Sequence, residues 1–338
     1  MQYQQMTLKG INTFILTDQV ESDKSSRYAS LSDKIEESKA ALRLAAEMSL
    51  YYYQKPLIIT YSGGKDSDVM LHLAESCLEP NEFEVLNSHT TVDAPETVYH
   101  IRSVFKRLND KGIKTSIDYH KTENGNITMW SLIPERRMPP TRVVRYCCQQ
   151  LKETGTPNRI CALGVRGEES TNREGRDLFA IRKGSKRDFQ YYSLEHSKEV
   201  HHEAVEINDP VYDCTLIETM RNHGDTIVNP IYNWTTHDIW DYIKSNDLTV
   251  NPLYAKGYPR VGCIGCPLAS YKQKIKEFND YPKYKTLYIQ AFEKMIQARK
   301  DNNLDVVWNT GQEVFDWWIE ESKHNIKGQM TMEDMLNE

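Results

Sequence analysis

Apolar positions along the chain follow two rhythms. Ile35, Leu42, Ala45 and Ala46 recur at roughly helical spacing up to Leu50, behind an Asp33-x-x-Glu36 pair of the capping-box kind, which predicts a helix ahead of the main body. Leu57-Ile58-Ile59-Thr60-Tyr61 is a short, partly β-branched run that stops at Gly63-Gly64, and Val69, Met70, Leu71 and Leu73 then resume in a helical context. The predicted order is strand, glycine turn, helix. Phe83 to Leu86 repeats the strand signal, 95–109 reads as helix, and Ile113 to Tyr119 and Ile160 to Leu163 give further strands. Such alternation predicts an α/β fold, a Rossmann-like parallel sheet wrapped by helices, with ligands outside the carboxyl ends of its strands. Residues 174–230 are polar and without clear period, and read as an insertion. From Trp234 onward the pattern is mostly helical, broken by Pro252 to Pro267. The expected organisation is a helical extension over 1–54, an α/β domain over 55–270 with its insertion at 174–230, and a helical region over 271–338.

Composition narrows the function classes. A chain of 338 residues can bury a substantial core. It has no apolar run of the length that spans a bilayer, and its first residues lack the basic and apolar regions of a secretory signal. The expectation is a cytoplasmic protein, away from membranes, without disulfides. A net charge of -6 argues against a nonspecific electrostatic grip on DNA or RNA over the whole surface, so any such contact must be local. Of the 7 cysteines, four form two tight pairs, Cys147-Cys148 and Cys263-x-x-Cys266, a pattern of metal ligation.

The strongest chemical signal is Ser62-Gly63-Gly64-Lys65-Asp66-Ser67. A glycine pair directly after a buried strand lets backbone N–H groups turn around an anion, and the helix that follows adds the positive end of its dipole. Lys65 can neutralise phosphate charge, Ser62 and Ser67 can donate hydroxyl hydrogen bonds, and Asp66 can place Mg2+ or orient the loop. The spacing differs from the P-loop of kinases and GTPases, where a glycine would stand at Ile59. Hydrolysis at a γ-phosphate is therefore disfavoured.

This string resembles the PP-loop of the N-type ATP pyrophosphatases. Ala94-Pro95-Glu96-Thr97, Gly164-Val165-Arg166-Gly167-Glu168-Glu169-Ser170 with Arg173, and Asn229-Pro230-Ile231-Tyr232-Asn233-Trp234 before Asp238-Ile239-Trp240 resemble the PAPS reductase branch of that superfamily. The resemblance covers about 55 to 270. It implies an adenine nucleotide alpha hydrolase-like fold and ATP binding with Mg2+. It also implies a phosphate pocket formed by Ser62 to Ser67 with Gly164, Arg166 and Arg173, the guanidinium being well matched to phosphate. Asp93 and Glu96 are further candidates for ribose or metal contacts, against a plainer reading as acids at a helix N-terminus.

Four thiolates, Cys147, Cys148, Cys263 and Cys266, suit tetrahedral Zn2+ or a [4Fe-4S] cluster. Adjacent residues aim their side chains apart, which suits the separate corners of a cluster better than one ion. Val261-Gly262-Cys263-Ile264-Gly265-Cys266-Pro267 resembles the iron–sulfur members of the PAPS and APS reductase-like family. Cys77, Cys161 and Cys214 read as small packing residues.

Reductases of this kind attack sulfate sulfur with a further cysteine in a Glu-Cys-Gly-type segment, and no cysteine follows Cys266 in this sequence. Together with Lys65 and Asp66 in the loop, this favours adenylation by ATP followed by sulfur transfer. The stretch from Cys214 to Asn233 resembles the Dnd-type DNA phosphorothioation sulfurtransferases and their phage relatives. That resemblance implies a DNA or RNA acceptor, a cysteine desulfurase as sulfur donor, and a ParB-like or nuclease partner. Arg136, Arg137, Arg142 and Arg145, and Arg182, Lys183, Lys186 and Arg187 beside Phe179, Phe189, Tyr191 and Tyr192, are the basic and aromatic residues suited to a nucleic-acid strand. The competing expectations are a sulfonucleotide reductase acting on PAPS or APS with a partner's thiol, and a noncatalytic nucleotide and cluster sensor.

Overall fold

In a computed structural model, the residues described are 29–123, 125–152, 159–169, 178–182, 189–195, 198 and 226–320. Strands β1 (Leu57–Thr60), β2 (Phe83–Ser88), β3 (Thr115–Asp118), β6 (Ile160–Ala162) and β9 (Thr226–Val228) form a parallel sheet in the order β3-β2-β1-β6-β9. Two further strands, β7 (Phe179–Arg182) and β8 (Phe189–Tyr192), extend it with antiparallel pairing beyond β9. A separate hairpin pairs β4 (Lys121–Thr122) with β5 (Gly125–Asn126). Leu57, Ile58 and Ile59 are all buried, as a central parallel strand covered on both faces requires. The α/β expectation holds. Within the stretch 174–230, read as an elaborated insertion, lie β7, β8 and the fifth parallel strand, β9. Thr226-Ile227-Val228 is too short to show a period, and its place is set by backbone pairing with Ile160, Cys161 and Ala162.

Helices α1 (Leu31–Tyr53), α2 (Lys65–Cys77) and α3 (Pro95–Asp110) pack on this sheet. The cap of α1 is Ser30, whose hydroxyl accepts from the Asp33 amide while the Asp33 carboxylate accepts from the Ser30 amide. The box therefore sits three residues earlier than Asp33-x-x-Glu36 suggested, and Glu36 pairs with Lys39 instead. Ala41, Leu42, Ala45 and Ala46 of α1 share one core with Ile59, Val69, Leu73 and Trp234. Buried polar ties fasten this helix to the chain after β9. Ser38 donates to the Pro230 carbonyl at 2.6 Å and accepts from the Trp234 indole at 3.0 Å, and Lys34 reaches Asp238 at 2.6 Å. Helix α6 (Thr236–Ser245) adds Ile239 and Tyr242 to the same core.

A second core lies beyond the α/β unit, built by α4 (Met129–Arg136), α5 (Tyr146–Leu151), α7 (Tyr271–Asp280), α8 (Pro282–Asp301) and α9 (Gly311–Glu320). Its centre is aromatic. The Tyr288 and Trp318 rings lie 4.8 Å apart and the Phe278 and Phe315 rings 4.9 Å apart. Trp318 donates to the Pro140 carbonyl at 2.8 Å, and the buried Lys274 ammonium lies 4.5 Å from the Trp318 ring centre. Such contacts satisfy polar groups while they bury large rings. Cys147 and Ile264 belong to this core, so the cysteine pairs are mounted on the helical unit rather than on the sheet. No helix among the described residues is long and apolar enough to cross a membrane.

Candidate nucleotide and thiol sites

The chain leaves β1 at Thr60 and turns through Tyr61 to Gly64 into α2. In the sheet, β1 lies between β2 and β6, so the chain's course reverses between β1 and β6, the switch point at whose carboxyl ends open α/β sheets bind ligands. The loop after β1 and the loop after β6 meet across it. Gly63 has φ +73°, and a Cβ there would come within 2.9 Å of Ile101 and 3.2 Å of Thr97. Only glycine meets both constraints at low cost. The Gly164 backbone passes over the Asp66–Ser67 peptide, where a Cβ would make ordinary contacts at 3.5 Å.

Asp66 joins the two loops. One carboxylate oxygen accepts from Lys65 Nζ at 2.7 Å and the other from Arg166 Nε at 2.7 Å. Arg166 also reaches Glu168 at 3.0 Å and the Thr236 hydroxyl at 3.2 Å. Lys65 and Arg166 are both nearly inaccessible, at 7% and 3% exposure, so these cations are held in place before any anion arrives. Ser67 spends its hydroxyl inside the loop, donating to the Gly64 carbonyl at 2.7 Å and accepting from the Gly64 amide at 3.1 Å. Ser62 remains exposed. The first-turn amides of a helix have no intrahelical acceptor. That of Lys65 is met by the Tyr254 hydroxyl at 2.9 Å.

Below the loop, Asp68 accepts a short hydrogen bond from Tyr61 and lies 3.0 Å from His100 Nε2. Burial and the Asp68 carboxylate push the Tyr61 phenol well above its usual range. Asn251, 1% exposed, donates to the Gly63 carbonyl at 2.9 Å and to the Thr97 hydroxyl at 3.1 Å, tying the loop to α3.

Asp93 and Glu96 lie in the loop after β2 and in the first turn of α3. Asp93 forms an antiparallel bridge with Cys263 and accepts from the Thr90 amide at 3.1 Å, which places it beside the thiols. Glu96 sits in the first turn of α3, and its carboxylate is taken by Lys256 and by the Tyr281 hydroxyl at 2.8 Å. That is the plainer reading of a helix N-terminal acid, with a tie to the helical unit added. Arg173, Ser170 and Cys214, like Lys183, Lys186 and Arg187, lie outside the described residues.

The two cysteine pairs converge. Its hydrogen bond with Cys148, burial, and the neighbouring Cys148, Cys263 and Cys266 together hold the Cys147 thiol far above its usual range. Burial pushes the Cys263 thiol up to about 11, with the Lys152 ammonium opposing and Asp93 and Cys266 adding to the rise. The Cys263 thiol donates to the Thr90 hydroxyl at 3.5 Å. Lys152, at the end of α5, is in turn raised, chiefly by Cys263 and also by Asp93, Cys266 and Cys148. All six cysteines among the described residues are free thiols. Among those residues no group of three or more His, Cys, Asp or Glu is placed to hold a single metal ion. Two of the four thiols, Cys147 and Cys263, are held protonated in this environment, and binding of a metal group there would release those protons.

Asn251, Tyr254, Thr236, Lys152 and Thr90 carry no motif of their own in the sequence. Asn251 and Tyr254 precede the second cysteine pair closely, and that proximity is the one local hint of a role.

Residues 56–269 match the family model described as the phosphoadenosine phosphosulfate reductase domain. An uncharacterized protein of Methanocaldococcus jannaschii is 25% identical over 230 residues, 68% of this chain. The chain spans 40% of that protein's length and 58% of a second uncharacterized protein from the same organism. An adenosine 5'-phosphosulfate reductase of Anoxybacillus flavithermus is 20% identical over 225 residues, 66% of this chain and 77% of that one. Among solved structures, yeast FAD synthetase in complex with FAD aligns with a TM-score of 0.41 at 14% identity, over 89% of this chain and 92% of that one.

Proposed function

The chain belongs to the phosphoadenosine phosphosulfate reductase domain family, and from that premise we propose that it splits ATP between the α and β phosphates and uses the adenylate to install sulfur on an acceptor. The observation that carries this reading is the meeting of Lys65 and Arg166 on Asp66 at the β1/β6 crevice, beside the glycine loop and the start of α2. Incoming phosphates would compete with Asp66 for the two cations, and the freed carboxylate is the natural ligand for Mg2+. In the first step an acceptor oxygen attacks the α-phosphorus, the bond to the bridging oxygen breaks, and pyrophosphate leaves. Lys65, Arg166 and Mg2+ meet the charge that develops on it. We assign Arg173 to the same pocket. In the second step sulfur at the sulfide level attacks the activated acceptor atom, and AMP departs with the oxygen, so no net electron transfer is needed.

Cys147, Cys148, Cys263 and Cys266 would hold a [4Fe-4S] cluster, which would supply a site for binding and orienting sulfur. The thiols lie beside the loop after β2, at the same end of the sheet as the phosphate loop, as transfer between the two sites requires. The acceptor in this reading is a nucleic acid, in the manner of Dnd-type DNA phosphorothioation. Its approach would be along the exposed Arg136, Arg142 and Arg145 that lead into the first cysteine pair. A cysteine desulfurase would deliver the sulfur, and a ParB-like or nuclease partner belongs to the same proposal.

Anaerobic incubation with ATP and Mg2+ tests it, with pyrophosphate and AMP assayed with and without short DNA or RNA. Release that rises with nucleic acid and falls by about 100-fold in Lys65→Ala is expected. Cys263→Ser should lose bound iron and keep its affinity for ATP. ADP and phosphate as products, or no products, would sink the pyrophosphatase reading. Likeness to an adenosine 5'-phosphosulfate reductase supports a second reading, sulfonucleotide reduction with a partner's thiol, which binding of APS without ATP turnover would favour.

A further inference from the structure

Tyr254 lies between the proposed nucleotide site and the segment that carries Cys263 and Cys266. Its hydroxyl oxygen accepts from the Lys65 amide at 2.9 Å, the first N–H of α2 and part of the glycine loop's concave face. The same oxygen is the nearest atom to where a Cβ on Gly64 would stand, at 3.6 Å, so it roofs the loop directly. Three residues earlier, the buried Asn251 is clamped to the Gly63 carbonyl and the Thr97 hydroxyl. On the other side the Tyr254 ring meets Trp240 edge-on at 5.2 Å. The phenol is thus held from two directions over the seat that an anion would take.

The bond to Lys65 uses an oxygen lone pair and, among the described residues, leaves the hydroxyl proton unspent. Burial holds the phenol well above its usual range, so the proton is present at neutral pH. A hydroxyl that accepts from a helix N-terminal amide and still has a proton to give passes the positive end of that helix onward by one bond.

We propose that the Tyr254 hydroxyl is a phosphate ligand of this site, donating to an oxygen of the bound polyphosphate while it accepts from Lys65 N. The inference rests on the nucleotide reading above and adds a donor from outside the glycine loop. It also ties phosphate occupancy to the chain segment that continues to Cys263.

The test is calorimetric titration of the full chain with inorganic pyrophosphate and Mg2+, comparing wild type, Lys65→Ala, Tyr254→Phe and Tyr254→His. Phe preserves the ring against Trp240, so the unfolding temperature should be kept while pyrophosphate binding weakens roughly tenfold, the scale of one hydrogen bond to a charged acceptor. His restores an N–H donor at that place and should recover part of the loss. If wild type and Lys65→Ala differ but Tyr254→Phe binds as tightly as wild type, or more tightly, the phenol is a bystander or a plug and the inference falls while the phosphate loop stands. Equal weakening by Phe and His assigns the effect to packing and also overturns it. If wild type itself binds no pyrophosphate, the nucleotide reading fails and this one fails with it.

Discussion

The phosphate loop and the thiol site prepare for their ligands in opposite ways. In the loop, charge is already separated and paired, with Lys65 and Arg166 resting on Asp66 within the α/β core. An anion entering there exchanges one set of ion pairs for another, so little reorganisation is needed. At Cys147 and Cys263, burial and neighbouring thiols favour the protonated form, and the surroundings are an aromatic core rather than paired charges. Under the proposed function a metal group binding there would displace protons from Cys147 and Cys263, so its binding would be coupled to pH. The difference teaches that a preorganised site can be built from electrostatics or from packing. The two kinds should fail differently when disturbed.

Each site contains one glycine at positive φ that makes the comparison direct. Gly265, between the cysteines of the second pair, has φ +70°, and a Cβ there would lie 2.8 Å from both Phe278 and Trp318 and 3.1 Å from Tyr288. Gly265→Ala should therefore have the largest effect, a loss of about 3 kcal/mol in unfolding free energy, since close-packed rings cannot yield and the backbone is strained as well. Chemical denaturation with tryptophan fluorescence would measure it, and a loss below about 1 kcal/mol would show that this core is softer than its packing implies. Gly63→Ala, with φ +73° and the flexible end of Ile101 at 2.9 Å, should cost less, about 2 kcal/mol, because that side chain can move. Its pyrophosphate affinity should nonetheless fall further than its stability. Parallel titration and melting would break the comparison if the order came out reversed.

The smallest expected effect sharpens the electrostatic side. Glu75 on α2 is paired with Arg107 at 2.6 Å and Lys111 at 3.0 Å. Burial alone would raise its carboxyl, but the hydrogen bonds from Arg107 and Lys111 more than offset this and hold it below its ordinary value of 4.5. A carboxyl depressed in the folded state contributes stability above the ordinary value, and that contribution fades as pH falls through the folded one. Glu75→Gln should thus cost about 1 kcal/mol at neutral pH, discounted because both cations are largely exposed. Urea titrations of the two proteins should converge as pH falls below the depressed Glu75 value. A difference that stays constant across pH would assign the effect to packing of α2 on α3.

Much of the α/β unit was legible because its signals are local. Leu57 to Thr60, the Gly63-Gly64 turn and the run after Lys65 announce strand, turn and helix within about twenty residues, and 95–109 matched its helix to within a residue. Strand β9 escaped because three residues carry no period, and its position is decided by pairing with β6. The cap of α1 was misplaced because Ser30 and Asp33 compete with Asp33 and Glu36 as a box, and only backbone geometry chooses between them. Asp93 followed the cysteines and Glu96 became a tie to Lys256, since a carboxylate's partners come from segments that local spacing does not see.

By itself, then, the sequence determined the fold class and the family. A glycine loop between a buried strand and a helix can cradle an anion, and the backbone conformation and helix end it needs are encoded within six residues. Two tight cysteine pairs likewise declare soft ligands. The tertiary structure decided which charges share the cradle, bringing Arg166 from the loop after β6 onto Asp66 and Tyr254 onto the Lys65 amide. It also placed Cys147, Cys148 and Cys263 against one core that holds aromatic rings from α7, α8 and α9. Those contacts join residues far apart in the chain, and their free energy comes from burying many side chains together, so no short stretch of sequence contains it.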